Sequence, residues 1–214
     1  MPKVYATFDY ELELLRKYDY IVAVDEVGRG AIAGPVVVAA TVVSSESYPS
    51  MPKDLADSKL IKESAREEYR DIAAGWVRSY GIGAVDAARI DSEGIIASLR
   101  MAGESAVLSA LNGVEGFSDK RGIVLLDGSH NWLYDSNVPL FTITKTKADR
   151  DCASVAAASI IAKVYRDNIM VELDKKHPGY GWGGNKGYGA KAHYEGIETL
   201  GLVDAIHRKS WIKK

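Results

Sequence analysis

The stretch YIVAVDEVGRGAIAGPVVVAA, Tyr20 to Ala40, ends an apolar run in two adjacent acids, Asp25 and Glu26, and follows them with Gly28-Arg29-Gly30. IVAV (21–24) and VVVAATVV (36–43) are β-branched runs bounded by glycines and polar residues, so they predict two strands. The eleven residues between them are too few for a helical crossover, which predicts antiparallel pairing. A buried carboxylate is costly unless a cation or hydrogen bonds compensate it. Two of them side by side at the end of a core strand ask what compensates them.

Outward from this pair, the pattern alternates. Helices are expected over 12–19, 62–76, 93–111, 154–176 and 190–200, and further strands over 77–85, 122–127 and 139–145. A polar, proline-containing loop covers 44–58, and HPGYGWGGNKGYG (177–189) reads as a glycine-rich loop. Strands followed by alternating strands and helices predict an α/β layered domain with a mixed sheet. No internal repeat or low-complexity tract interrupts the 214 residues, and no linker divides two large domains. The expectation is one domain over 1–214, with a core at about 20–170 and a C-terminal helical and loop extension at about 171–214.

Composition narrows the class. At 47% hydrophobic and 26% charged the chain is ordinary for a globular domain. Its apolar runs are short and interrupted by charge, so no transmembrane span is expected, and the N-terminus lacks a signal-peptide pattern. The single cysteine, Cys152, excludes an internal disulfide framework and a zinc-finger pattern, which points to a reducing cytoplasm; it reads as a small buried residue. The net charge of −2 is unevenly spread. Residues 1–139 hold 14 Lys/Arg against 21 Asp/Glu, whereas residues 140–214 hold 13 against 8. A basic C-terminal third suits a polyanion, although a solvated surface gradient gives the same count.

The acids carry the chemistry. Asp127 closes the expected strand IVLL and precedes Gly128; Asp149 follows PLFTITK by a few residues. Functional groups in open α/β sheets gather beyond the carboxyl ends of strands, so Asp25, Glu26, Asp127 and Asp149 could project into one place. Converging carboxylates take up protons or a cation, and an all-oxygen donor set suits Mg²⁺ or Mn²⁺. An aspartate at a strand end also serves as a turn residue or helix cap, so the residues alone leave both readings open.

The string DEVGRG-x-x-AGP (25–35) resembles the signature of type-2 ribonuclease H, and further motifs of that family follow in order. They are DSKL (57–60), LLDG (125–128), KAD and AAASIIAKVYRD within 147–167, PGYG and KGYGAKAH within 178–193, and HRKSW (207–211). The resemblance implies a ribonuclease H-like, mixed five-stranded sheet flanked by helices, with a small C-terminal extension. It implies an endoribonuclease that cuts RNA in RNA–DNA hybrids and 5′ of ribonucleotides in duplex DNA, by two-metal hydrolysis leaving 3′-hydroxyl and 5′-phosphate ends. It assigns Asp25, Glu26, Asp127 and Asp149 as catalytic metal ligands for Mg²⁺ or Mn²⁺, with Asp151 a competitor for the last place. Gly28, Arg29 and Gly30 match the element whose backbone reads the ribose 2′-hydroxyl, and Tyr188 the tyrosine that stacks on the neighbouring deoxyribose. Ser58, Lys59, Lys163 and Arg166 match positions along the nucleic-acid backbone.

These roles make physical sense: the 2′-hydroxyl distinguishes RNA from DNA, and a tyrosine face is indifferent to base. Each has a plainer alternative. The glycines suit a turn, Tyr188 suits a surface plug, and Ser159, Lys163 and Arg166 suit a solvated helix stripe. His177, His193 and His207, widely spaced and without a paired nucleophile, read as structural. Asn185 stands where the family often has histidine, Leu60 replaces a common lysine, and 128–137 matches no family role. The alternatives in function are type-3 ribonuclease H activity on longer hybrids only, or a non-catalytic nucleic-acid-binding module. The type-3 relative usually has Gly-Thr-Gly where Arg29 stands and an extra N-terminal domain; with Arg29 present and 24 residues before Asp25, the type-2 pattern is the expectation. No clamp-binding peptide is visible in HRKSWIKK, no membrane partner is expected, and a monomer is the expected state.

Overall fold

The computed structural model describes residues 5–55 and 61–212. Five strands form one mixed sheet: β1 (Tyr20–Val27), β2 (Val36–Val43), β3 (Ser79–Val85), β4 (Gly122–Asp127) and β5 (Thr142–Lys145), in the order β3-β2-β1-β4-β5. β1 to β3 form an antiparallel meander, with Ile21 opposite Val43 and Val36 opposite Val85. β4 and β5 join parallel to β1, with Val24 opposite Leu126 and Asp127 opposite Lys145. The expected mixed α/β sheet and the antiparallel β1–β2 pair are both present.

The helices are α1 (Asp9–Leu15), α2 (Arg66–Trp76), α3 (Ala87–Glu93), α4 (Ile95–Asn112), α5 (Ala148–Asp151), α6 (Ala153–Lys176), α7 (Trp182–Asn185) and α8 (Lys191–Leu200). Period-two alternation in β1 and β2 splits the core into two layers. Ile21, Ala23, Val37 and Ala39 pack against α6 and α2. Val22, Val24, Val38 and Ala40 pack against α4 with Val124 and Leu126. The alanine-rich start of α6, with Ala153 and Ala156 to Ala158 fully buried, lets that helix lie close on the sheet. A smaller cluster of Ala33, Met170, Tyr180 and Trp182 seats the C-terminal loops and α8.

Several boundaries differ from the pattern reading. The expected helix over 93–111 is present as α4; the pattern omits the short α3 before it, which Asp86 caps by accepting from the Arg89 amide and which ends at Gly94, φ 82°. The first helix spans 9–15 rather than 12–19, because Asp19 is drawn into two hydrogen bonds with the Arg121 backbone beside β4. The helix expected from 62 begins at Arg66 after a 3-10 turn at Glu63–Ala65. β5 holds only four of its seven expected residues. β1 runs through Val27, so Asp25 and Glu26 belong to the strand and do not follow it.

The N-terminal segment is tied to the far side of the sheet. Thr7 bridges Cys152, the Ala153 amide donates to the Thr7 carbonyl, and the buried Glu11 carboxylate accepts from the Ser154 amide (2.9 Å) and hydroxyl (2.7 Å). Glu11 thereby caps α6 from a distance, satisfying an amide that the helix itself leaves without a partner. Burial raises the Glu11 carboxyl, partly offset by the two bonds from Ser154. Cys152 is buried, as expected.

Candidate active site

The parallel pairing of β1 and β4 explains the convergence of acids. With Val24 opposite Leu126, the next residues on the two strands are Asp25 and Asp127, at the same carboxyl edge of the sheet. The chain then leaves β5 and turns back at α5, where the Asp149 amide donates to Asp127 Oδ1 at 3.2 Å. Asp25, on the side of β1 that faces α6, accepts from the Glu26 amide at 2.9 Å. These four acids line one pocket of about 470 Å³ together with Gly28, Arg29, Gly30, Ser159, Lys163 and Tyr188. Asp151 does not line it; its carboxylate is held by Arg150 (2.8 Å) and Lys145 (3.6 Å).

The electrostatics are those of crowded like charges. Burial pushes Asp25 well above the ordinary carboxylate range, and the charges of Glu26, Asp127 and Asp149 push the same way, against one hydrogen bond from Ser159. Burial also raises Glu26, which Arg29 at 3.5 Å only partly offsets. Among the described residues, no three His, Cys, Asp or Glu side chains are already disposed to hold an ion. The donor chemistry nevertheless fits a hard divalent cation: carboxylate oxygens only, close enough to perturb one another, in a polar recess. A larger apolar groove of about 570 Å³ lies between α2, β3 and α6, but it lacks such a cluster.

Beside the acids, the loop from Gly28 to Pro35 is held from behind by two buried arginines. Arg166 donates to the carbonyls of Pro35 (2.8 Å), Ala33 (3.0 Å) and Lys186 (2.8 Å). Arg208 donates to those of Gly28 (2.7 Å), Arg29 (3.0 Å) and Gly34 (3.1 Å). The loop carbonyls therefore face inward. Among the described residues, the amides of Gly28, Arg29 and Gly30 have no hydrogen-bond acceptor. Neither arginine has a carboxylate at ion-pair distance among the described residues, and burial lowers both, Arg208 to about 10. The two glycines differ. Gly28 has φ +83°, and a Cβ there would lie 2.1 Å from Arg166 Nε, whereas a Cβ on Gly30 would meet nothing within 4 Å. Protein packing demands the first glycine; only an approaching ligand could demand the second.

These contacts correct part of the sequence reading. Arg166 is fully buried and acts as a loop clamp, so it is not placed to hold a phosphate. The stripe of Ser159, Lys163 and Arg166 is not solvated: Ser159 and Arg166 are buried, and Lys163 pairs with Asp167 at 2.7 Å while still lining the pocket. Ser159, which hydrogen-bonds Asp25, was not among the expected site residues, although its four-residue spacing from Lys163 puts both on one helix face. Ser58, Lys59 and Leu60 lie outside the described residues. Tyr188 is part-exposed at the pocket, with the Arg166 guanidinium 5.5 Å from its ring centre. Asn185 staples its own loop, donating to the Tyr180 carbonyl and accepting from the Gly187 amide. Trp132 and Leu133 anchor the otherwise largely exposed 128–137 segment in the α4 layer. His193 and His207 are buried, in line with structural roles.

The comparisons with known proteins agree with this geometry. The family model described as Ribonuclease HII matches residues 22–214. A ribonuclease HII of Clostridium perfringens strain 13 is 38% identical over 198 residues, 92% of this chain and 68% of that protein. The crystal structure of ribonuclease H2 from Pyrococcus horikoshii OT3 superposes with a TM-score of 0.70 at 25% identity, covering 90% of this chain and 93% of that one. The structure of Bst-RNase HIII in complex with Mn²⁺ shares the fold, with a TM-score of 0.71 at 19% identity, over 91% of this chain and 68% of that one. Among the described residues no helix is long and apolar enough to cross a membrane. The chain belongs to the ribonuclease HII family, the metal-dependent endoribonucleases of the ribonuclease H class.

Proposed function

We propose that this chain hydrolyses the RNA strand of RNA–DNA hybrids and cuts duplex DNA on the 5′ side of an embedded ribonucleotide, leaving 3′-hydroxyl and 5′-phosphate ends. The observation that carries the reading is the meeting of four acids, a loop with outward amides and an exposed tyrosine in one recess. Asp25, Glu26, Asp127 and Asp149 would hold the metal. Bound there, a pair of Mg²⁺ or Mn²⁺ ions supplies Lewis-acid stabilisation of the attacking and leaving oxygens. The Mn²⁺ complex of the Bst-RNase HIII neighbour supports an ion of this kind.

The chain's own residues do the reading. Gly28, Arg29 and Gly30 line the recess with amides that have no acceptor among the described residues; these amides would donate to a ribose 2′-hydroxyl, and the open side of Gly30 would leave room for the sugar. Tyr188 offers a flat face to the next deoxyribose, with Arg166 behind its ring. Lys163 contributes positive charge for a phosphate on the pocket wall. Ser58 and Lys59 extend the contact with the nucleic-acid backbone in this reading.

The test is a DNA duplex with one embedded ribonucleotide, incubated with Mg²⁺, with Mn²⁺ and with chelator, beside a long RNA–DNA hybrid. The expected product is a nick on the 5′ side of the ribonucleotide, extendable at its 3′ end and absent in chelator. Cleavage of the hybrid alone would remove the embedded-ribonucleotide claim and leave the type-3 pattern. Calorimetric titration of each metal counts the ions; a single site would overturn the paired-ion arrangement.

A further inference from the structure

Behind the recess, the segments that carry Tyr188 and the Gly28–Gly34 loop are joined by two buried imidazoles. His193 Nδ1 lies 2.9 Å from the Tyr188 carbonyl oxygen, which can only accept, so that nitrogen carries the hydrogen. His193 Nε2 is therefore the acceptor, and Trp182 Nε1 donates to it at 2.9 Å. His207 Nδ1 accepts from the Val203 amide at 2.8 Å, so its hydrogen sits on Nε2, which faces His193 Nε2 at 3.2 Å. One set of neutral tautomers accounts for all four contacts, with the single lone pair of His193 Nε2 shared between the Trp182 donor at 2.9 Å and the His207 donor at 3.2 Å. His207 in turn forms an antiparallel bridge with Ala33, and its neighbour Arg208 holds the carbonyls of Gly28 and Arg29.

The rings have little freedom to turn. The centre of the His207 ring is 5.0 Å from that of Tyr180 and 5.2 Å from that of Trp182, and those two rings stack on each other at 4.7 Å. The Tyr188 carbonyl already accepts from the Ala190 amide at 2.8 Å. The bond from His193 is thus not needed to satisfy a buried acceptor. It adds direction, fixing where the Tyr188 backbone stands relative to the loop on the other side of the recess.

We propose that His193 and His207 are a positioning pair, whose mutual hydrogen bond sets the separation between Tyr188 and the Gly28–Gly30 loop and so the fit of a ribose–deoxyribose junction between them. The proposal deepens the preceding reading and rests on it for the roles of Tyr188 and the loop. Both histidines act through other groups, so their loss weakens capture of the junction more than the chemical step.

The test separates the two bonds of each ring. His207→Asn places an acceptor near the Val203 amide but loses the donor to His193; His207→Gln keeps a donor near Nε2 and loses the bond to Val203. Each removes one buried hydrogen bond. On a duplex with a single ribonucleotide, His207→Asn is expected to raise KM about tenfold, the scale of one lost hydrogen bond, with little change in kcat. His207→Gln should raise KM by clearly less at a comparable loss of Tm. KM values that simply follow Tm in the two variants would overturn the proposal. Should His207→Asn not fold, His193→Gln keeps an acceptor for Trp182 and His207 and loses the donor to Tyr188; the same rise in KM is expected, and an unchanged KM overturns the pair. Tyr188→Ala separates this proposal from its foundation. No KM change in Tyr188→Ala removes the stacking role itself. A KM rise in Tyr188→Ala that His207→Asn then multiplies leaves the stacking role standing and removes the positioning role.

Discussion

The two sides of the recess hold their functional groups by opposite means. Asp25 and Glu26 stand on β1 and Asp127 on β4, strands whose neighbours are buried, and their side chains repel one another. The Gly28–Pro35 loop and the Tyr188 segment are irregular; Arg166, Arg208 and His193 hold them through backbone carbonyls, and His207 supports His193 from behind. A sheet edge can carry electrostatic tension because its ladder does not depend on the acids. A loop has no ladder, so its shape depends on the polar side chains behind it. The difference predicts that substitutions on the acid side change rate with little loss of stability, and those behind the loop change stability and binding together.

The largest expected effect is on the acid side. Asp127→Asn should lower kcat by on the order of a thousandfold or more, the scale on which one preorganised charge-stabilising group acts. Its Tm should hold or rise, since a repelling charge is gone; a large fall in Tm would break the contrast. Behind the loop, Arg208→Met leaves the carbonyls of Arg29 and Gly34 without a donor and that of Gly28 with the Ala31 amide alone. Urea unfolding should show a loss of about 3 kcal/mol or more, with kcat per folded molecule reduced far less than in Asp127→Asn. The two glycines sharpen the comparison within the loop. Gly28→Ala meets Arg166 at a positive φ and should cost about 1–3 kcal/mol. Gly30→Ala should stay within about 0.5 kcal/mol of the parent yet weaken binding of the ribonucleotide junction, read as KM on the single-ribonucleotide duplex.

The most gradual effect is a pH dependence from the buried ring. Burial, then the neighbouring His193, lowers His207 to about 4, against about 6.5 in an unfolded chain. Below the unfolded value the unfolded state binds the extra proton, so stability falls as pH drops from about 6.5 toward 4, by at most about 1.4 kcal/mol per pH unit for this one proton. The difference in unfolding free energy between the parent and His207→Gln, followed across that range, isolates the contribution. A constant difference would mean that His207 is not held neutral.

The acid side was more legible in the sequence than the loop side. IVAV and VVVAATVV declare strands by β-branching, and a short connection dictates their antiparallel pairing. The place of Asp127 at a strand end follows from the apolar run before it. Arg166 was misplaced, because an arginine on a helix reads as solvated until the carbonyls that surround it are known, and those come from residues 33, 35 and 186. Arg208 and the bond between His193 and His207 depend on long-range approach that no local period records. α3 is hidden for a related reason: seven residues are too few for a helical period to show, and only the positive φ of Gly94 separates it from α4.

The brace at the front of the chain bears on where the working unit begins. The family match opens at residue 22, yet Thr7 and Glu11 fasten the backbone at Cys152 to Ser154, a few residues beyond Asp149. Trimming to the matched region would keep every residue assigned to the chemistry and discard the anchor behind one of them. By this anatomy the minimal nuclease is longer than its signature, and its upstream limit lies before Thr7.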